Sequence, residues 1–92
     1  MIRSFRDRAT EAVWAGRFVK RFSGIEKQAQ RKLDMLHVAR DLGDLRAPPG
    51  NRLEMLSADR HGQHSIRIND QWRICFRWTK EGPADVEIVD YH

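Results

Sequence analysis

Residues 65–78 read SIRINDQWRICFRW, a sequence that predicts a β-hairpin and with it the fold. Successive side chains on a strand point to opposite faces of a sheet. In the second half of this stretch, one face carries large apolar side chains and the other carries Arg73, Cys75 and Arg77. The apolar set consists of Trp72, Ile74, Phe76 and Trp78. The first face therefore belongs to the core, and the second faces away from it.

The length of the loop between the two strands decides which residues face each other. A two-residue loop would pair apolar with polar side chains, whereas a three-residue loop at residues 69–71 pairs Ile66 with Ile74. We therefore predict the three-residue loop. The same register places Arg67 directly opposite Arg73, on the face away from the core.

Like charges that oppose each other directly destabilise a sheet, so two explanations of this arrangement stay open. Glu87 has the alternation needed to reach the same face and neutralise one arginine. Alternatively, the two arginines bind an anion. A guanidinium group suits phosphate because it donates two parallel hydrogen bonds and stays charged. Tyr91 shares this face and points into the same concavity.

The N-terminal half of the sequence predicts helices. A short strand at residues 2–5 precedes Asp7, a candidate N-cap for a first helix. Ser23 and Glu26 have the spacing of a capping box at the start of a second, amphipathic helix, and Gly43 is its predicted end. The basic residues of that helix are predicted to form a solvated surface rather than a phosphate site. They are Lys27, Arg31, Lys32 and Arg40.

Beyond residues 46–50, which read RAPPG and break regular structure, the pattern alternates as in strands. The predicted strands are residues 53–56, 63–68, 72–78 and 84–91. Helices followed by antiparallel strands predict an α+β fold, with two N-terminal helices packed on one face of a small, antiparallel-rich β-sheet. A length of 92 residues fits a single domain over residues 1–92.

The composition narrows the classes of function. Lys and Arg number 17 against 13 Asp and Glu, a net charge of +4 that favours an anionic partner. The single cysteine, Cys75, excludes an internal disulfide and fits a reducing compartment. No apolar run has the length of a signal peptide or a membrane span, so we expect a cytoplasmic protein. His61 and His64 lack the cysteine or carboxylate neighbours of a zinc site, so we expect no metal and no cofactor.

Four blocks of the sequence, in this order and spacing, resemble HigB-type (host inhibition of growth) toxins of the RelE superfamily. They are RLEML at 52–56, DR at 59–60, HSIRINDQWRICFRW at 64–78 and VEIVDYH at 86–92. The resemblance implies the RelE-like microbial RNase fold and a ribosome-dependent endoribonuclease that cuts mRNA in the decoding site of the small subunit. It also implies a helix-turn-helix antitoxin of the HigA type as partner, operator DNA reached only through that antitoxin, and no contact with a membrane.

The resemblance also implies the site residues. Those that match catalytic positions are Arg73, Asp90, Tyr91 and His92. Those assigned to RNA binding are Glu54, Arg60, Arg67, Gln71 and Lys80, of which the two arginines and the lysine are chosen for their positive charge. The sequence departs from the family at two places. Glu54 stands where some members carry histidine, and residues 57–58, Ser-Ala, replace a Lys-Gly pair, which removes a cation from the RNA-binding surface.

RNA cleavage without a metal uses the ribose 2′-OH as the nucleophile. The protein must then remove one proton, deliver another and stabilise the charge of the phosphorane. Histidine transfers protons near neutral pH, which makes His92 the acid or the base, and Arg73 stabilises the charge. Asp90 orients His92 or holds the terminus. Tyr91 stacks on a base, donates to an oxygen or orients the substrate, and the sequence does not rank these roles.

Two other functions stay open. ParE-like toxins of the same superfamily act on DNA gyrase without the arginine-tyrosine-histidine set, and a catalytically inactive member would only bind RNA, gyrase or antitoxin. The intact WRI and DYH blocks favour the nuclease. We expect Arg73→Ala and His92→Ala to abolish cleavage with the fold retained, because neither side chain is predicted to be part of the core.

Overall fold

The structure, a computed structural model, describes residues 1–90. Its helices are α1, Arg8–Trp14, and α2, Glu26–Val38. Its strands are β1 (Glu54–Met55), β2 (His64–Arg67), β3 (Trp72–Thr79) and β4 (Gly82–Asp90). The strands form one antiparallel sheet in the order β1-β2-β3-β4. The predicted α+β fold, with helices ahead of an antiparallel sheet, is confirmed.

The hairpin of β2 and β3 has the predicted register. Ile66 pairs with Ile74, and Arg67 pairs with Arg73. The three-residue loop at 69–71 is held by the Asn69 side chain, whose Oδ1 accepts hydrogen bonds from two backbone N–H groups at 2.8 and 2.9 Å. The side-chain amide therefore satisfies backbone donors that the tight turn leaves without a strand partner.

The core lies between the helices and one face of the sheet. Val13 of α1 and Leu33 of α2 pack in one apolar cluster with Ile66, Ile74 and Ile88 of the sheet, all of them almost completely buried. Burying one such side chain stabilises the fold by about 1.5–3 kcal/mol. Within residues 1–90, neither helix combines the length and the apolar composition that crossing a bilayer requires.

The start of the chain agrees with the sequence only in part. Asp7 caps α1 as predicted, because its Oδ1 accepts from the Thr10 backbone N–H at 2.9 Å. The strand expected at residues 2–5 is reduced to one parallel bridge between Phe5 and Val86 of β4. The cap at Asp7 turns the chain into α1 directly after this bridge, so no longer ladder forms.

The capping box predicted for the start of α2 is wrong. Its N-cap is Ile25, and no side chain caps the helix there. The Glu26 carboxylate accepts from the Gly24 backbone N–H at 2.8 Å instead. Ser23 ends the preceding 3₁₀ turn, Lys20–Phe22. Because that turn already uses Ser23, the helix starts beyond the reach of its hydroxyl.

The predicted end of α2 at Gly43 is also wrong, because the helix ends at Val38. Asp41 and Asp44 form a capping box that starts a new 3₁₀ turn, Leu42–Arg46, and Gly43 lies inside it. This cap requires an extended backbone at Asp41, where φ is −142°. A continuous helix cannot pass through that conformation.

Candidate active site

Arg73 is the most constrained residue of the candidate site. Its side chain lies on the sheet face opposite that of Ile74, as the alternation predicts. Nε donates to Ser65 Oγ at 2.8 Å, and Nη2 donates to the carbonyl oxygen of Arg52 at 2.7 Å. Only 7% of the residue is exposed. The side chain lies on the face away from the core, as predicted, and these acceptors hold its guanidinium within the protein rather than in solvent.

The carbonyl of Arg52 reaches Arg73 because the backbone turns sharply ahead of β1. Pro49–Asn51 form a 3₁₀ turn, and Arg52 follows in the left-handed region with a φ of 45°. Asn51 is fully buried, and its Nδ2 donates to the Leu45 carbonyl at 3.2 Å, which fastens the turn to the core. The turn that begins within the RAPPG segment and ends at Arg52 thus supplies an acceptor to the site.

Arg67 stands directly opposite Arg73. Its guanidinium forms a salt bridge with Asp70 in the hairpin loop, whose side chain is fully exposed. The Glu87 carboxylate forms salt bridges with Arg60, at 3.1 Å, and with Arg6, at 3.8 Å, rather than with Arg67. The charge that compensates Arg67 comes instead from the loop beside it.

Arg60 covers part of the sheet face that lies away from the core. It belongs to the 3₁₀ turn Ala58–Arg60, and its Nη1 donates at 3.1 Å to both Gln63 Oε1 and Glu87 Oε1. Cys75, the register partner of Glu87, is fully buried, and burial raises the pKa of its thiol. The sheet face away from the core is therefore covered around Cys75, and Arg60 forms an ion pair there.

Asp90 and Gln71 meet at the end of β4. Gln71 Nε2, in the hairpin loop, donates to Asp90 Oδ2 at 3.1 Å, and Asp90 lies opposite Trp72 of β3 in the register. This contact ties the end of the last strand to the loop that carries Asp70. The two other predicted catalytic residues, Tyr91 and His92, lie outside the described residues.

Glu54 and Lys80 occupy different parts of the sheet. Glu54 is the register partner of Ser65, the residue that accepts from Arg73 Nε, so the structure brings Glu54 to the Arg73 side of the sheet. Lys80 lies in the turn between β3 and β4, seven positions beyond Arg73. That separation is about 23 Å along an extended strand. The structure does not bring Lys80 together with the other predicted site residues.

Lys32 of α2 contacts the turn that precedes β1, although its spacing on the helix predicts a solvated position. Its ammonium donates to Asn51 Oδ1. Burial, and then repulsion from Arg31 and Arg67, lowers the pKa of Lys32 from its ordinary value. No local signal in the sequence identifies this residue, because its hydrogen-bond partner lies 19 positions away.

His64 is one of the two histidines considered above as ligands of a metal. His64 stacks on Phe76 with ring centroids 6.3 Å apart, and burial lowers the pKa of His64. Among residues 1–90, no three His, Cys, Asp or Glu side chains are grouped as the ligands of a metal ion would be. His64 therefore contributes to the packing of the sheet.

Comparison with known proteins identifies the family to which this chain is similar. The model of HigB-like toxins, described as the RelE-like toxin of type II toxin–antitoxin system HigB, matches residues 4–92. Toxin HigB-1 of Vibrio cholerae serotype O1 is 44% identical over 70 residues, which cover 76% of this chain and 73% of that protein. An uncharacterised protein of Haemophilus influenzae is 39% identical over 56 residues, 61% of this chain and 55% of that protein. The range matched by the family model includes every predicted site residue.

Proposed function

Because this chain belongs to the HigB family of RelE-like toxins and is a toxin of a type II toxin–antitoxin system, we propose that it is a ribosome-dependent endoribonuclease that cuts mRNA. The observation that carries the proposal is the environment of Arg73. A buried guanidinium held by Ser65 Oγ and the Arg52 carbonyl, directly opposite a second arginine, is a fixed cationic group suited to a phosphodiester.

In the proposed reaction, the ribose 2′-OH attacks the adjacent phosphorus and the 5′-oxygen of the next nucleotide leaves. Negative charge develops on the oxygens of the phosphorane. Arg73 stabilises that charge, and acceptors that include Ser65 Oγ and the Arg52 carbonyl keep the guanidinium plane in place, so little reorganisation is needed when the charge forms. The attacking hydroxyl loses a proton and the leaving oxygen gains one.

We assign these proton transfers to His92, as acid or base, because an imidazole titrates near neutral pH. Tyr91 binds or orients the RNA in this proposal. Asp90 serves as a positioning residue: its contact with Gln71 at 3.1 Å holds the end of β4 beside the hairpin loop, and the two terminal residues follow directly in the chain. Their proximity in sequence to a fixed strand end supports the assignment.

A type II toxin has an antitoxin as its partner. We propose that this antitoxin is a helix-turn-helix protein of the HigA type and that operator DNA is reached only through it. We further propose that the toxin is a single domain that acts in the cytoplasm, on mRNA in the decoding site of the small ribosomal subunit. Neither a metal nor a cofactor takes part in the proposed chemistry.

A ribosome-programmed cleavage assay tests the reaction with Arg73→Ala and His92→Ala. We expect each change to reduce cleavage by roughly 10²–10³-fold or more, since each removes a group that acts on the transition state. Arg77→Ala is the matched control, because Arg77 lies on the same strand and face but pairs with Asp85 at 2.8 Å. Unchanged cleavage in both test variants would remove these residues from the active site and favour a function in binding alone.

The burial of Arg73 also changes what its variants should do to stability. Removing the guanidinium leaves Ser65 Oγ and the Arg52 carbonyl without this donor, which costs about 1–3 kcal/mol of the free energy of unfolding. We therefore expect Arg73→Ala to fold, but with a lower free energy of unfolding than the wild type. Arg73→Lys keeps the positive charge but not the planar fork, so a folded Arg73→Lys variant that does not cleave would separate the catalytic loss from unfolding.

A further inference from the structure

Lys32 is fixed by the same turn that fixes Arg73. Its ammonium donates to the side chain of Asn51, and the next residue, Arg52, provides the carbonyl that accepts from Arg73. Two cations from different elements, helix α2 and strand β3, are therefore held by adjacent residues of one loop. Displacing that turn would move both of them.

The anchor of Lys32 is itself rigid. Asn51 is fully buried, and its Nδ2 donates to the Leu45 carbonyl at 3.2 Å and contacts Met35 Sδ at 3.8 Å. With its amide group held on that side, Asn51 presents Oδ1 to Lys32 in one orientation. A polar network whose members are satisfied in this way holds its donors in place.

Lys32 is held among like charges. Arg31 and Arg67 both lie near enough for their repulsion to contribute to the lowered pKa of Lys32, after the larger effect of burial. Within residues 1–90, no carboxylate lies within salt-bridge distance of Lys32. The salt bridge of Arg67 goes to Asp70, whose side chain is fully exposed. A lysine gains hydration by turning away from such a cluster, yet this one is retained in it.

We infer, on the basis of the proposed function, that Lys32 and Arg67 together bind a phosphate of the RNA backbone adjacent to the scissile phosphate at Arg73. An ammonium binds phosphate as a compact charge and a guanidinium binds it as a fork, so the two groups complement each other. The incoming phosphate replaces the exposed Asp70 carboxylate as the partner of Arg67. The register places Arg67 directly beside Arg73, which puts this subsite next to the reaction centre.

The test measures binding of a short single-stranded RNA whose riboses all carry 2′-O-methyl groups, which removes the nucleophile and prevents cleavage. Fluorescence anisotropy between about 50 and 200 mM salt gives the slope of log K against log salt. We expect Lys32→Gln to weaken binding roughly 3–10-fold and to reduce the slope by about 0.7, the contribution of one phosphate contact to a single strand. Lys27→Gln, at an exposed position of the same helix, is the matched control and should leave both quantities unchanged.

A second measurement uses the wild-type protein, so it does not depend on the folding of a variant. The side-chain NMR signals of Lys32 should shift on addition of the same RNA, whereas those of Lys27 should not. A Lys32 signal that stays in place at saturating RNA overturns the inference. So does an unchanged salt slope in a folded Lys32→Gln variant.

Two further outcomes separate this inference from the proposed function. If Lys32→Gln loses affinity for the antitoxin but keeps its affinity for RNA, Lys32 is a protein-binding residue and the inference is overturned. If the wild type binds RNA through Lys32 but does not cut mRNA on programmed ribosomes, the inference is supported and the proposed function fails. If the wild type cuts mRNA but its binding of RNA does not depend on Lys32, the inference is overturned and the proposed function stands.

Discussion

Burying a guanidinium group costs free energy unless its N–H groups donate to acceptors within the protein. Arg73 finds them in Ser65 Oγ, on the neighbouring strand of the hairpin, and in the Arg52 carbonyl, 21 positions away. Arg67 has a local partner instead, Asp70, three positions away in the hairpin loop. The two arginines oppose each other in the sheet but differ in their partners. Arg73 is held by acceptors within the fold, whereas Arg67 can exchange an exposed carboxylate for another anion.

His64 gives the stability of the protein a pH dependence. Burial lowers its pKa in the folded state below the ordinary value of 6.5. As the pH falls through that value, the unfolded state therefore takes up more protons than the folded state, and the free energy of unfolding decreases. Urea unfolding of the wild type and of His64→Gln at about pH 7.5 and about pH 5.5 should show a smaller decrease in the variant.

His61→Gln is the control for this measurement, because His61 is exposed in the turn ahead of β2. We expect its free energy of unfolding to decrease between the two pH values as much as that of the wild type does. A decrease in His64→Gln equal to that of the wild type would contradict the assignment to His64.

At the scale of the elements, the two helices begin in different ways. α1 has a side-chain cap, Asp7, whereas α2 follows a 3₁₀ turn and has none. The sequence indicates a cap for each, since Ser23 and Glu26 have the right spacing. The difference arises because the serine of a capping box must be the N-cap, whereas Ser23 is the C-cap of the preceding 3₁₀ turn and the N-cap of α2 is Ile25.

This difference can be measured by urea unfolding. Asp7→Ala should lower the free energy of unfolding by about 0.5–2 kcal/mol, because the backbone N–H of Thr10 loses its acceptor. Ser23→Ala, the matched control, should change it by less than about 0.5 kcal/mol, as expected at an exposed position without a capping contact. A larger loss in Ser23→Ala than in Asp7→Ala would contradict the observed caps.

At the scale of the whole molecule, the sheet has two different ends. One end gathers Arg67, Arg73, Gln71 and Asp90, with Lys32 added from the helix layer. The other end carries the β3–β4 turn, where Lys80 lies. The cations proposed to bind RNA therefore lie at the end near the hairpin loop, which is the end that we expect an extended anion to contact.

The antitoxin should respond to the same charge. We expect its affinity for this toxin to fall as the salt concentration rises, mainly through a slower association rate, because exposed charges at an interface steer the encounter of the partners. Surface plasmon resonance at increasing sodium chloride measures both rates, and sucrose at matched osmolality controls for effects that are not electrostatic. An affinity that does not change with ionic strength would contradict this prediction.

Local rules of sequence are enough to predict several parts of this protein. The alternation of residues 65–78 predicts the hairpin register and the pairing of Arg67 with Arg73, because strand side chains repeat every two residues and a wrong register would place polar groups in the core. The cap at Asp7 follows from the same kind of local rule. The family motifs carry the assignments of Asp90, Tyr91 and His92, of which the last two lie outside the described residues.

Which polar groups meet across the fold depends instead on how the elements and loops pack. Arg73 is buried by acceptors eight and 21 positions away, Glu87 is paired with an arginine 27 positions away, and Lys32 is fixed 19 positions away. Such contacts leave no periodic trace in the sequence, since they depend on how loops and layers pack rather than on the repeat of one helix or strand. The hydrophobic pattern places each element in the fold, and the arrangement of the loops between elements decides the chemistry of the site.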